Sequence, residues 1–511
     1  MKKITLILLI ASSLLLSCAR IDKAGTEKKQ ARIPQSTHEL VDKIDTIVKE
    51  LNDETIFNAE TCDTYIKSVT DYLYLLPTGY FYPKNEVDQN YLLEFGPKSY
   101  YALFDLQTLL QKRISSIANL SPRCIHAARE GIRVSRYVLD SLGEWLYLKK
   151  VFPSNEMILS EIGTQTLVNQ NDSTEPFTGM KDLKSGDVLL MRGETFVSAM
   201  IARIGDDDAS FSHLAIVGND DKGKLYLIEA LIEVGTKAVP LDKWFANKKE
   251  TRFVVYRNKD QDLAKRAGQQ IYSYVKEKLK KDRVIPYDFT MNPEDHSQLF
   301  CSEVVKLAYQ LASGNKINLP RTPTTFYDLK NSYFLNEMGI KVLETFSPAD
   351  IELDSNFYRL AEYRNFSSLR KTRLQDAMMS SLFAWISNKD YELTDRFNPY
   401  LMSSLAKFVR TLGFAPDKMQ KHMPREVLST VIKLNNISAI IEDHLFKYEQ
   451  IFFDKKGYSY TYKDLMDHLE VYRRADCKRF WNIKMTDEEN LVVLPARNVH
   501  EHIRGKDRQC D

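Results

Sequence analysis

The 511-residue chain has no excess charge of either sign: 71 Lys and Arg stand against 69 Asp and Glu. Nothing therefore draws it as a whole toward nucleic acid. It lacks a Walker phosphate loop, a GxGxxG fingerprint and the GxSxG elbow that presents a nucleophilic serine. With no CxxC and no HExxH spacing, a metal site has no support, and no cofactor is expected. No internal repeat is visible. Cysteine is scarce, with six residues in all.

What the chain does have begins at its N-terminus. Lys2 and Lys3 precede an apolar run from Ile4 to Leu16, then Ser17 and Cys18. A charged start, an apolar segment too short to span a bilayer and small residues at the cut read as an export signal. Leu15-Leu16-Ser17-Cys18 resembles a bacterial lipobox. That resemblance implies cleavage before Cys18, its diacylation and a membrane anchor; an ordinary signal peptide with an incidental Cys is the other reading. With Ala19 rather than Asp after Cys18, the expected location is the cell envelope, on the periplasmic face of the outer membrane in a Gram-negative cell. Arg20 to Gln35 is polar and reads as a tether.

An exported protein lives where disulfides persist. Setting aside Cys18 and Cys301 leaves Cys62, Cys124, Cys477 and Cys510, which allow three pairings. Cys62–Cys124 with Cys477–Cys510 keeps each bridge within one region; free buried thiols are the alternative.

The expected organisation is a signal over residues 1–17, a tether over 18–35, a helical region over 36–170, a strand-bearing unit over 180–345 and a helical C-terminal region over 346–511. His38 to Ile44 opens an amphipathic pattern that Ser36-Thr37 can cap. Tyr101 to Leu110 and Ile125 to Lys150 continue in that style, and Asn169 to Pro176 is turn-rich. Strands then cluster at Asp187–Met191, Ser212–Val217, Lys224–Glu229 and Arg252–Tyr256, with a helix from about Asp262 to Leu279. From about Tyr358 the chain returns to helices. Tyr-rich stretches such as Tyr72-Leu73-Tyr74 suit helix packing better than glycan stacking.

The chemistry centres on Phe300-Cys301-Ser302-Glu303-Val304-Val305, with Phe211-Ser212-His213-Leu214 well upstream. Val304, Val305, Ala308 and Leu311 form an apolar stripe at helical spacing, so Cys301 falls in the first turn of a helix. Unpaired backbone N–H groups there favour a thiolate. His213 opens a β-branched strand, and a second strand follows a five-residue hairpin loop. If Gly218 pairs with Lys224, His213 stands directly opposite Glu229, close enough for a carboxylate to orient an imidazole. Glu233 and Asp208 are rival acids. His296, five residues before Cys301, is the rival base, but its polar surroundings read as an exposed loop.

These motifs, together with Lys184-Ser185-Gly186-Asp187 and Pro286-Tyr287-Asp288-Phe289, resemble the permuted papain-like cysteine peptidases and amidases, specifically the YiiX-like branch of the NlpC-type superfamily. The resemblance covers roughly residues 180–345. It implies an α+β fold: an antiparallel β-barrel or sheet plus a Cys-bearing helix, with helical regions on either side. In the permuted branch the Cys helix follows the His strand, as here. The resemblance further implies Cys301 as nucleophile, His213 as general base and acid, Glu229 as the residue orienting His213, and Tyr287 as a donor to the developing oxyanion. Phe289-Thr290-Met291-Asn292 stands where non-permuted relatives carry Gly-Gly, so the resemblance does not fix the floor of the substrate groove or, with it, the substrate.

The expected function is amide hydrolysis in the cell envelope, with peptidoglycan stem peptides as substrate. A lipid-directed acyltransferase or thioesterase, as in lecithin retinol acyltransferase-like relatives, is the first alternative; a lipid amide would then be the substrate. A non-catalytic envelope-binding lipoprotein is the second.

Overall fold

The computed structural model describes residues 36–511 except 77, 118–119, 153–166, 170–176, 247–249, 328–332, 395–423, 458 and 507. The expected signal, Cys18 and the tether lie outside the described residues, as does the turn-rich stretch beyond Asn169. Among the described residues no helix is long and apolar enough to cross a membrane.

Among the described residues four long helices come first: α1 (Thr37–Asn52), α2 (Cys62–Tyr74), α3 (Glu86–Ser116) and α4 (Pro122–Leu148). Ser36 caps α1, its hydroxyl accepting from Glu39 N–H at 3.3 Å. Leu40, Ile44, Ile47 and Leu51 recur at helical spacing and are all buried. Cys62 and Cys124 are bridged, which ties the start of α2 to the start of α4. They lie 62 residues apart, a span for which loop closure restricts the unfolded chain by about 4 kcal/mol. Cys477 and Cys510 form the second bridge, so the described cysteines adopt the pairing that keeps each bridge within one region.

The centre is a seven-stranded sheet: β1 (Leu167–Val168), β2 (Val188–Gly193), β3 (His213–Asn219), β4 (Leu225–Leu231), β5 (Gly235–Pro240), β6 (Glu250–Asn258) and β7 (Phe357–Arg364). Its order is β1-β7-β6-β2-β3-β4-β5 and every neighbouring pair is antiparallel. The architecture is the α+β arrangement expected.

Strand alternation sorts the side chains into two cores. Leu214 and Ile216 of β3, with Ile228 and Ala230 of β4, face α5 (Gln261–Asp282) and α6 (Cys301–Ser313). Ala215, Val217 and Leu227 face the other way, toward Phe177, Trp244 and Phe245. Two glycines set how closely α5 approaches the sheet. A Cβ on Gly186, which has φ +92°, would stand 2.2 Å from the Ala264 carbonyl oxygen, and one on Gly268 would stand 2.1 Å from Ser185 Oγ.

The C-terminal region departs from the expectation of a purely helical stretch after Tyr358. Phe357–Arg364 is β7, placed inside the sheet between β1 and β6. Its pattern misleads because Arg359, Glu362 and Arg364, which read as surface residues, are buried in ion pairs. Helices α7 (Phe366–Asn388), α8 (Arg425–Lys456) and α9 (Tyr462–Trp481) follow. Tyr72 and Tyr462 are buried, and Tyr462 stacks on Tyr137 at 4.1 Å, as packing residues do.

A network of buried charges fastens the three regions together. Arg136 and Asp140 come from α4, Arg192 from β2, Arg252 from β6, Arg359, Glu362 and Arg364 from β7, and Asp376 from α7. Asp140 accepts from Arg252 and Arg364. Asp376 accepts from Arg192 at 2.8 Å and is paired with Arg203 and Arg252 at 3.3 and 3.4 Å. Each guanidinium thus meets carboxylates from another segment, the condition under which charge can leave water.

Candidate active site

Cys301 is the first residue of α6, and Phe300 before it has extended backbone. The first-turn N–H groups have no intrahelical partner, which gives the sulfur a local positive field. Two backbone contacts bring Tyr287 beside it: Leu299 N–H donates to Pro286 O at 3.0 Å, and Asp288 N–H donates to Leu299 O at 3.3 Å. The Tyr287 hydroxyl hydrogen-bonds the Cys301 sulfur.

His213 arrives from the sheet. It is the first residue of β3 and pairs with Met191 of β2. His213 and Glu229, both odd-numbered, share the side of Ala215, Val217 and Leu227, whereas α6 packs on the other. The imidazole meets the sulfur because β3 begins there, at the end of the sheet.

The hairpin register differs from the expected one. Gly218 pairs with Tyr226, not with Lys224, and the ladder is displaced by two residues. The loop is Asp220–Lys224, closed by the Asp220 carboxylate, which accepts from the Lys222 and Lys224 N–H groups. A two-residue displacement preserves facing, so Glu229 stands diagonal to His213 rather than opposite. Its longer reach completes the contact: His213 Nε2 and Glu229 Oε2 are 2.9 Å apart. Asp208 is instead held by Arg133 and Ser380, and Glu233 lies near Tyr287.

Electrostatics follow from these contacts. Burial pushes the Cys301 thiol up, but hydrogen bonds from His213, the Leu214 N–H and Ser302 outweigh it and leave the thiol below its ordinary value. Burial lowers His213, yet its bonds to Cys301 and Glu229 more than offset that and raise it to about 10. The favoured state is a thiolate beside an imidazolium. Burial and the neighbouring sulfur push Tyr287 well above the ordinary phenol range, so it stays a donor.

Sequence reasoning missed the other side of Glu229. Trp244, on a short helix beyond β5, donates its indole N–H to Glu229 Oε1 at 3.1 Å, and Lys237 Nζ lies 3.5 Å from the same oxygen. No spacing or motif pointed to Trp244. Replacing it by Phe keeps a ring but removes the donor. The expected outcome is alkylation of Cys301 slowed roughly tenfold at neutral pH, the loss of one hydrogen bond to a charge; an unchanged rate would show that Glu229 needs no second clamp.

His296 does not face the sulfur. Its Nδ1 lies 2.7 Å from Glu303 Oε1, on the next residue but one of α6. Among the described residues no cluster of three metal-ligating side chains occurs.

A buried thiolate, an imidazolium held by a carboxylate and a neutral phenol can together perform acyl transfer. Residues 182–345 match the model of the permuted papain-like amidase enzymes of the YaeF/YiiX, C92 family. No match was found among curated proteins or solved structures. The matched segment spans Cys301, His213, Glu229 and Tyr287.

Proposed function

We propose that this chain, a cysteine hydrolase whose residues 182–345 are a permuted papain-like amidase domain, cleaves amide bonds in the cell envelope, with peptidoglycan stem peptides as substrate. The observation that carries the reading is the 2.9 Å contact between His213 and the fully buried Glu229, with the same imidazole bonded to the Cys301 side chain.

The Cys301 thiolate attacks the carbonyl carbon, and the oxyanion is received by the Cys301 N–H and the Tyr287 hydroxyl, which leaves the sulfur as the new C–S bond forms. Collapse of the tetrahedral adduct breaks the C–N bond, and the His213 imidazolium gives its proton to the departing amine. Neutral His213 then takes a proton from water, whose hydroxide attacks the thioester. The acid product leaves and the thiolate–imidazolium pair is restored. Glu229 keeps the ring oriented throughout.

A lipid anchor at Cys18 would hold the enzyme at the membrane surface, and the export-signal pattern ahead of it supports an envelope substrate. The test is purified sacculi set beside phospholipid vesicles. Release of peptides from sacculi, identified by mass, supports the reading. Fatty-acid release from vesicles with intact sacculi would replace it with the lipid-directed one. The same assay has a pH signature. Activity rises as pH climbs through a thiol value lying below the ordinary range, because the thiolate forms. It falls as pH passes about 10, where the imidazolium loses the proton it must donate. A profile without that alkaline fall would remove His213 from the role.

A further inference from the structure

Glu303 is the third residue of α6, and its side chain is fully buried. The helix needs it there. Phe300 occupies the capping position and has no side-chain acceptor to offer the first turn. Glu303 Oε2 reaches back and accepts the Phe300 N–H at 3.2 Å, one half of a capping box. Oε1 accepts from His296 Nδ1 at 2.7 Å. His296 is itself held, since its carbonyl accepts from the Tyr274 hydroxyl of α5 at 3.3 Å. One carboxylate therefore joins α6, the loop before it and, through His296, α5.

We propose that Glu303 and His296 form a positioning pair for the nucleophile, holding the Phe300–Cys301 bend at the angle that brings the sulfur to His213. This rests on the reading of Cys301 as nucleophile. Neither residue touches substrate or the reacting atoms; both act through the backbone that carries Cys301.

The pair also confers a pH response. Both groups bonded to the carboxylate are donors, the Phe300 amide and the His296 ring, and the Tyr274 phenol of α5 and the Asp288 carboxylate stand near it. An ionised carboxylate accepts from both, whereas a protonated acid turns one oxygen into a donor and must release a partner. Burial pushes Glu303 up to about 7, against the lowering effect of His296 and Phe300 and with the help of Asp288. His296 is raised chiefly by its bond to Glu303; burial opposes this, Glu294 assists and Lys306 opposes. Lys306, on the next turn of α6, is paired with Glu294 at 2.7 Å. Acidification through about pH 7 therefore loosens the bend.

The test follows iodoacetamide alkylation of Cys301 in the full chain across pH, read by peptide mass, beside kcat and KM. Glu303→Gln keeps an acceptor for the Phe300 N–H but cannot titrate. It is expected to react within about twofold of wild type at alkaline pH, with the acid limb near 7 displaced downward. Glu303→Ala removes the clamp, and is expected to lower kcat and alkylation roughly tenfold or more at every pH with little change in KM. Should Glu303→Ala fail to fold, the displaced limb of Glu303→Gln decides alone. Variants that match wild type in rate and in limb overturn the proposal. A wild-type Cys301 that reacts no faster than an ordinary thiol below neutral pH instead defeats the nucleophile reading on which it rests.

Discussion

Replacing Cys301 by alanine is expected to abolish amide hydrolysis, with kcat falling by a factor on the order of 10⁴ or more. Cys301 is 3 % exposed, and removing one sulfur from so enclosed a place alters little else. The fold should survive, because Glu303 still holds the Phe300 amide and the stripe of Val304, Val305 and Ala308 still packs against the sheet. The variant should keep its circular dichroism spectrum and melt close to wild type. His213→Ala is expected to lose nearly as much, and the double variant little more, since the two groups work as a unit. Labelling by a thiol-directed inhibitor should vanish in Cys301→Ala and slow sharply in His213→Ala. Full activity in Cys301→Ala, assayed by amine release, would end the case for thiol chemistry.

Asp376→Ala is expected to be the most destabilising single change in the sheet region, costing about 3–5 kcal/mol. The carboxylate is fully buried and faces Arg192, Arg203 and Arg252, which are equally buried. Burial raises its pKa, but the three guanidiniums outweigh that and hold it below the usual carboxylate range. Its loss leaves three cations short of countercharge in a place water cannot enter. Arg252 keeps Asp140, and Arg203 keeps Ser380 and Tyr137. Arg192 retains only backbone carbonyls of its own segment. Asp376→Asn preserves shape and one acceptor, so it should lose less, though still more than a surface substitution. Urea denaturation measures both, and a midpoint shift below that of an average surface substitution would show the network to be dispensable.

The candidate site was legible in the sequence because its parts obey local rules. A helix-start cysteine and a strand-start histidine are each visible from periodicity alone, and the facing of Glu229 survived a misjudged register because the error was two residues and not one. What could not be read depends on partners far along the chain. Arg359, Glu362 and Arg364 hide β7 because, although they pair with one another and with Glu352, their burial also needs Arg136 and Asp140 of α4 and the Tyr256 hydroxyl of β6, far away in sequence. Trp244 reaches Glu229 only after β5 turns back along β4, and β5 itself, Gly-Thr-Lys-Ala-Val-Pro, carries neither clean alternation nor a β-branched run. His296 illustrates the reverse: its polar surroundings set it apart from the base, while its bond to buried Glu303 gives it another use.

The order of elements along the chain has a consequence for biosynthesis. Because His213 precedes Cys301, a polypeptide emerging from the ribosome carries its base for some ninety residues of elongation before any sulfur can meet it, counted from the numbering of the two. β7 is made later still, yet it fills the gap between β1 and β6. With Cys301 as the proposed nucleophile, latency during translation would be a property of topology, and a product truncated ahead of Cys301 is expected to be inert without any inhibitor.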